Sequence, residues 1–262
     1  MDLFALVQNQ MGLFFLLFVR VSGIFTAAPI YGSRNVPIIV KAGLSLILAL
    51  VLLPILGQQT PELPKTFLLY LFLIMTEYIV GLIIGFTSTF VFSAIQMAGS
   101  LIDTQIGFSM VNIIDPLYGQ NVPLIGNFKY MLALLVFLAT NGHHLLLTAL
   151  LDSFRLVPVT HVVFSKSLAP YMVDLVAGFF AIALKISLPV LVTLLLLDIG
   201  MGILAKTMPQ MNIFMVGMPA KILIGLFMLS MALPFYIFFL EVLFNGMQAD
   251  INKLIQLFQA GP

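Results

Sequence analysis

Cysteine and tryptophan are both absent from this 262-residue chain, and charge is scarce. Without cysteine there is no disulfide, no thiolate nucleophile and no thiolate metal site, although that absence names no compartment. Without tryptophan, and with seven tyrosines that do not gather at two levels, no pair of aromatic belts can be drawn. Charged residues make up 8% of the chain, against about 25% in a soluble domain. Hydrophobic residues make up 61%. The interior of a soluble protein of this length is too small to hide so much apolar surface, so lipid or partner protein must be the solvent. The formal net charge of +1 gives no case for nucleic acid. A basic leader region is also missing, because the first residues hold Asp2 and no lysine or arginine. The first apolar stretch is too long for a secretory signal and is expected to stay in the mature protein.

What the chain does have is a series of apolar blocks at residues 11–30, 36–56, 66–102, 130–151, 170–204 and 219–244. Four are close to the roughly 20 residues that a spanning helix needs. The third and fifth are longer, each a long helix or a helical hairpin. Gly81 and Gly85 offer bends in the third, and Pro189 would kink or split the fifth. Connections such as residues 31–35 and 57–64 are short and rich in turn formers, which favours antiparallel hairpins. The expected architecture is an all-α membrane-associated protein of six to eight long apolar helices arranged as hairpins, with one Gly/Pro-broken apolar loop. The tail at 247–259 puts Ile251, Leu254, Ile255 and Phe258 at helical spacing and reads as an amphipathic interfacial or docking helix. Basic residues (Arg34, Lys65, Arg155, Lys166, Lys206, Lys221) are spread over nearly every loop, so neither side is the positive one. Such a chain is read as inserted together with partners.

Charges interrupt the blocks. Arg20, Lys41 and Glu77 lie inside the first three, and Asp174, Lys185 and Asp198 divide the fifth. A charge near the bilayer centre costs about 2.5–3.5 kcal/mol even on the mild insertion scale, so these residues imply burial against protein or water.

Residues 99–128 (GSLIDTQIGFSMVNIIDPLYGQNVPLIGNF) leave a long helix at Asp103. They carry Gly107, Asp115-Pro116, Gly119, Pro123 and Gly126 yet keep Ile106, Phe108, Met110, Val111, Ile113 and Ile114. An apolar segment on a Gly/Pro-punctuated backbone is either a re-entrant, cavity-lining constriction or a loop packed under neighbouring helices; composition does not choose. Residues 206–221 (KTMPQMNIFMVGMPAK) bring Met208, Met211, Met215 and Met218 together, as a sealing surface or as a hairpin turn with methionine filler. The pair His143-His144 is poorly spaced for a metal, since adjacent helical residues point about 100° apart. Asn141-Gly142 reads more simply as a helix break. No nucleophile elbow or phosphate-cradling loop accompanies Ser22, Ser33, Ser93 or Ser109, so no enzyme and no cofactor are expected. An ion-coupled secondary transporter remains the rival from another class, with Glu77, Asp198 and Lys185 as its test residues.

The ordered set of motifs resembles the FliR/SctT family of type III secretion export-gate proteins, its flagellar branch above all. The residues that carry the resemblance are Arg20-Val21-Ser22-Gly23 with Pro29, then Glu77 with Gly81 and Gly85, residues 99–116 and 141–144, Asp198-Ile199-Gly200, residues 209–214, and Gly217-Met218-Pro219-Ala220-Lys221. The resemblance implies a single gate subunit at the bacterial inner membrane, in the flagellar basal body. Residues 1–165 would be FliP-like with a pore loop at 104–127, residues 166–245 a FliQ-like hairpin, and residues 246–262 an amphipathic tail. It further implies a pore plug or constriction made of Ile106, Gly107, Phe108, Ser109, Met110, Val111, Asn112, Ile113, Ile114, Asp115, Pro116, Leu117 and Tyr118. A hairpin tip at Lys206, Pro209, Gln210, Asn212, Phe214, Gly217, Pro219 and Lys221 would contact a FliQ-type subunit. Buried pairs among Arg20, Lys41, Glu77, Asp103, Lys185 and Asp198 would set subunit register. The implied partners are FliP-type, FliQ-type and FlhB-type subunits, exported unfolded flagellar proteins and membrane lipid. An injectisome homologue with other cargo is the near alternative.

Overall fold

The computed structural model describes residues 3–33, 35–56, 64, 66–108 and 123–259, with side chains from residue 10 onward. Among them are seven α-helices and no strand: α1 Leu3–Ala27, α2 Ile38–Leu56, α3 Phe67–Ile106, α4 Leu124–Ala139, α5 Gly142–Leu156, α6 Leu168–Thr207 and α7 Ile213–Gln259. Five of them (α1, α2, α3, α6 and α7) are long and apolar enough to cross a membrane, and α4 with α5 makes a sixth candidate with a break in it. The 40 residues of α3 and of α6 correspond to about 60 Å of helix, roughly twice the hydrocarbon thickness. Both must therefore project well beyond the lipid core.

The chain forms two compact units, one of Met1–Phe90, Asn141–Leu175 and Asn245–Pro262, the other of Val91–Thr140 and Val176–Phe244. In the first, α1 packs on α2 and lies parallel to α3. The Tyr70 hydroxyl donates to the Gly12 carbonyl at 3.0 Å, and the Thr89 hydroxyl donates to the Ala27 carbonyl, so partner numbers rise together, with offsets of 58 and 62 at these two contacts. Small residues make that seam. A Cβ added to Gly23 would stand 2.6 Å from the Tyr78 carbonyl oxygen, and one on Gly85 2.6 Å from that of Ile24. A Cβ on Gly81 would collide with the Arg20 carbonyl. Gly81 and Gly85 are therefore approach points in an unbroken helix, which corrects the expectation that they bend it; the small-xxx-small spacing lets two backbones touch in an apolar medium.

The far end of the same unit is closed by backbone. Val163 and Ser165 N–H donate to the Phe258 and Leu257 carbonyls at 3.1 and 3.4 Å, satisfying acceptors that the end of α7 leaves open. Tyr171 donates to Asp250 Oδ1 at 2.9 Å, and the Lys253 ammonium stands 4.4 Å from the Tyr171 ring centre. The tail read as an amphipathic interfacial or docking helix forms the last turns of α7, with Met247, Ile251, Leu254, Ile255 and Phe258 buried.

The second unit is built on an antiparallel hairpin of α6 and α7. Lys221 Nζ is 2.6 Å from Asp198 Oδ1, and Gly225 lies beside Leu194. Partner numbers thus fall as the others rise. Val190 and Leu194 join Ile102, Ile106 and Ile125 in a buried cluster covered by Ile222, Met228 and Leu229. Phe92, Phe137 and Phe244 meet with ring centres 5.1–5.6 Å apart and tie α3, α4 and α7. Pro189 does not split α6. Its missing N–H costs one helical bond, to the Lys185 carbonyl, which long neighbouring turns tolerate.

Gly81→Val should destabilise the protein by about 1–3 kcal/mol through overpacking, read as a lower Tm in detergent. Gly43→Ala is the contrast. No atom lies within 4 Å of its added Cβ, and the helix propensity gain of up to about 1 kcal/mol should leave Tm equal or higher.

Candidate functional site

Arg20 and Glu77 are fully buried and form an ion pair, Nε to Oε2 at 2.5 Å. The guanidinium does more than neutralise the carboxylate. Its Nη1 donates to the Ser153 carbonyl, which also takes the Val157 N–H at 3.1 Å, and to the Val157 carbonyl, each at 2.9 Å, at the end of α5 where a cation also suits the helix dipole. The same group lies 4.5 Å over the Phe154 ring. Glu77 Oε1 in turn accepts the Thr160 N–H at 3.2 Å. Thr160 holds a left-handed φ of 77°, a costly conformation for a β-branched residue that persists where its surroundings enforce it. One pair therefore fixes α1, α3, α5 and the turn after α5. Only Arg20 Nη2 lacks a partner among the described residues of this anchor.

The second polar anchor stands at the stem of the unusual loop. Asp103, in the last turn of α3, is buried, and its carboxylate accepts the N–H groups of Ile125 at 3.0 and 3.1 Å and of Gly126 at 3.1 Å. These are free donors at the start of α4, whose N-cap Pro123 has no capping side chain. A carboxylate from another helix takes that role, aided by the positive end of the helix. Gly99 and Gly126 touch backbone to backbone, and a Cβ on Gly99 would collide with Gly126. Gly107, with φ +101°, turns the chain out of α3, and its N–H and that of Phe108 both reach the Asp103 carbonyl at 3.1 Å. The side chain and backbone of Asp103 thus clasp both ends of the segment.

The expected site residues divide accordingly. Ile106 is a buried member of the Val190–Leu194 cluster and would press a Cβ on Gly225, so it anchors the segment and does not face an opening. Helix α3 also reaches three residues beyond Asp103, where it was expected to end. Gly107 and Phe108 follow it, while Ser109, Met110, Val111, Asn112, Ile113, Ile114, Asp115, Pro116, Leu117 and Tyr118 lie outside the described residues.

Asp198 joins Lys221 and also accepts Gln105 Nε2 at 3.0 Å, linking the last turn of α3 to the hairpin. Lys41 is half-buried and Lys185 is exposed within this chain. The buried stripe of α6 runs through Ala183, Ile186, Ser187, Val190 and Leu194, and Lys185 is about 200° round the helix from Ala183.

The turn at 208–212 is the hairpin tip. Asn212 caps α7 through Met215 N–H at 3.4 Å, and Met208, Phe214 and Met215 are exposed. Lys206, Pro209, Gln210 and Pro219 are exposed as well, whereas Gly217 is buried with Met201 Cε 3.0 Å from its added Cβ. His143 and His144 have ring centres 4.3 Å apart, and no group of three or more metal-binding side chains occurs among the described residues.

Two charges were missed by the sequence reading although the same signal marks them. Lys129 is buried in α4 with its ammonium 4.7 Å from the Tyr236 ring centre, and Glu241 lies exposed in α7.

Glu77→Ala should cost about 3–5 kcal/mol, because it leaves a buried guanidinium uncompensated, while Arg20→Met with Glu77→Leu should recover much of that loss. Thermal unfolding of the three proteins in detergent measures both. Asp103→Ala should cost about 1–2 kcal/mol as a lost cap. Hydrogen exchange should then speed up at Ile125 and Gly126 while the α1–α3 seam keeps its protection.

Residues 11–247 match the family described as bacterial export proteins, family 1. The chain is 38% identical over 220 residues to the flagellar biosynthetic protein FliR of Bacillus subtilis (strain 168), covering 82% of this chain and 84% of that one. It is 31% identical over 252 residues to the flagellar biosynthetic protein FliR of Escherichia coli (strain K12), covering 95% and 96%. The protein of the same description from Aquifex aeolicus (strain VF5) is 27% identical over 219 residues, 84% of each chain. The match runs through the Arg20–Glu77 anchor, the Asp103 clasp and the α6–α7 hairpin alike, and the chain belongs to family 1 of the bacterial export proteins.

Proposed function

We propose that this chain is a structural and gating subunit of the flagellar type III export apparatus in the bacterial inner membrane, with no catalytic role of its own. The family match over residues 11–247 and the flagellar descriptions of its relatives support membership of that apparatus. The candidate spans place the chain in a membrane. The flagellar descriptions favour this branch over the injectisome one.

The single observation that carries gating is the clasp at Asp103. It holds together the two ends of an apolar, Gly/Pro-broken segment that would otherwise leave α3 and enter α4 at unrelated places. A segment tethered at both ends on a rigid stem suits an obstruction in a pore, because it cannot drift away from that stem. In this reading unfolded flagellar proteins pass where the segment gives way, and the energy comes from other components. FliP-type, FliQ-type and FlhB-type subunits are the proposed neighbours. They would cover the apolar side chains that α2, α6 and α7 expose, among them Ile39, Ile47, Leu196, Phe227 and Phe235, where lipid does not.

Purification from native membranes should yield the chain in a large assembly of fixed composition. Replacing residues 109–122 by a short glycine-serine linker, with the clasp kept, should raise the resting conductance of that assembly in a planar bilayer. If the linker variant assembles normally and conducts no more than the unaltered complex, the segment is packing and the gating role is lost.

A further inference from the structure

Lys185 on α6 and Glu241 on α7 are charges inside long apolar helices, both exposed, and neither has an ionic or hydrogen-bond partner among the described residues. Their surroundings are apolar and exposed too: Leu184, Leu188 and Val192 flank Lys185, and Phe238 and Val242 flank Glu241. Lipid is a poor neighbour for either charge, and water is a poor neighbour for the side chains around them. A protein surface that is apolar and carries charges in the right places suits both.

The hairpin fixes the spacing. Asp198 pairs with Lys221 and Leu194 lies beside Gly225, so Lys185 stands level with residue 234. Glu241 is seven residues further along α7, or roughly 10 Å along the axis. Lys185 points away from the buried stripe of α6 through Ala183, Ile186 and Val190, and Glu241 lies beside the buried stripe of α7 through Tyr236, Leu240 and Phe244, about 60° round the helix from Phe244. We propose that this outer face of the α6–α7 hairpin docks an apolar helical membrane subunit that presents a carboxylate to Lys185 and a cationic side chain to Glu241. The two partner charges would sit about two helical turns apart, seven residues on one face of one helix. Opposite signs at the two positions also set direction, since a partner helix laid the other way would oppose like charges at both. This assignment deepens the gate reading and rests on it.

The test uses the tagged full-length chain in its native membranes. Lys185→Glu and Glu241→Lys should each cut the recovery of co-purifying membrane subunits about tenfold, with the chain itself present at its usual level. The neutral variants Lys185→Met and Glu241→Gln should lose less. Selection for restored motility from Glu241→Lys should then return acidic substitutions at a basic position in one partner helix. Unchanged recovery with both charge reversals overturns the docking proposal and leaves these charges to headgroups or water. If the unaltered chain recovers no fixed set of subunits, the gate reading itself fails. Photocrosslinking from Phe238 guards against assembly defects of remote origin. It should give a protein adduct in the unaltered complex that Glu241→Lys abolishes, and an adduct that survives counts against the proposal.

Discussion

Burying a charged group between apolar helices requires the fold to meet most of its hydrogen-bonding capacity, and the contact between Arg20 and Glu77 shows how much that demands. Desolvating the two ions costs several kcal/mol each, which their mutual attraction alone does not reliably offset. Backbone meets most of the remaining donors and acceptors, through two carbonyls at the end of α5 and the N–H of Thr160, leaving only Arg20 Nη2 without a partner among the described residues. Such an arrangement tolerates one register only. A slip of α1 by one turn against α3 would part the charges and drive Gly23 out of the seam with Gly81. The ion pair and the small-residue seam are thus two readings of one constraint, the first polar and specific, the second steric and permissive.

The other compact unit solves the equivalent problem with a lone carboxylate. Asp103 has no cation beside it among the described residues and is held by three contacts with N–H groups at the start of a helix. Fixed dipoles replace a counter-charge there, and the result is a joint between the last turn of α3 and the first of α4. Gln105, Asp198 and Lys221 then fasten that joint to the hairpin. Both units use the ends of helices, where backbone groups are free, as the receiving half of a polar contact.

Composition and block lengths were enough to read an all-helical, membrane-associated chain, and the hairpin of α6 and α7 followed from its Pro/Gly-marked turn. Arg20, Glu77 and Asp103 were legible as misplaced charges. Their partners were not, because carbonyls and N–H groups carry no letter in a sequence. Gly81 and Gly85 were misread as bends because a glycine between apolar residues looks the same whether it kinks a helix or admits a neighbour. The spacing Gly81, Gly85, Thr89, with Gly23 on α1, was the signal that separates the two. The face that carries Lys185 was not legible for a related reason: when every face of a helix is apolar, periodicity no longer tells the inner face from the outer.

The clasp at Asp103 closes a loop of 22 residues measured from Asp103 to Ile125. The entropy of closing such a loop rises only logarithmically with its length, so even doubling it would cost about 0.6 kcal/mol. The stem therefore tolerates a change in the length of what it encloses. Lengthening the segment beyond Phe108, which itself packs against the cluster of Ile106 and Ile125, should cost the stem little. A fold arranged this way can hold its architecture steady while the enclosed segment adapts to whatever it must obstruct or let pass.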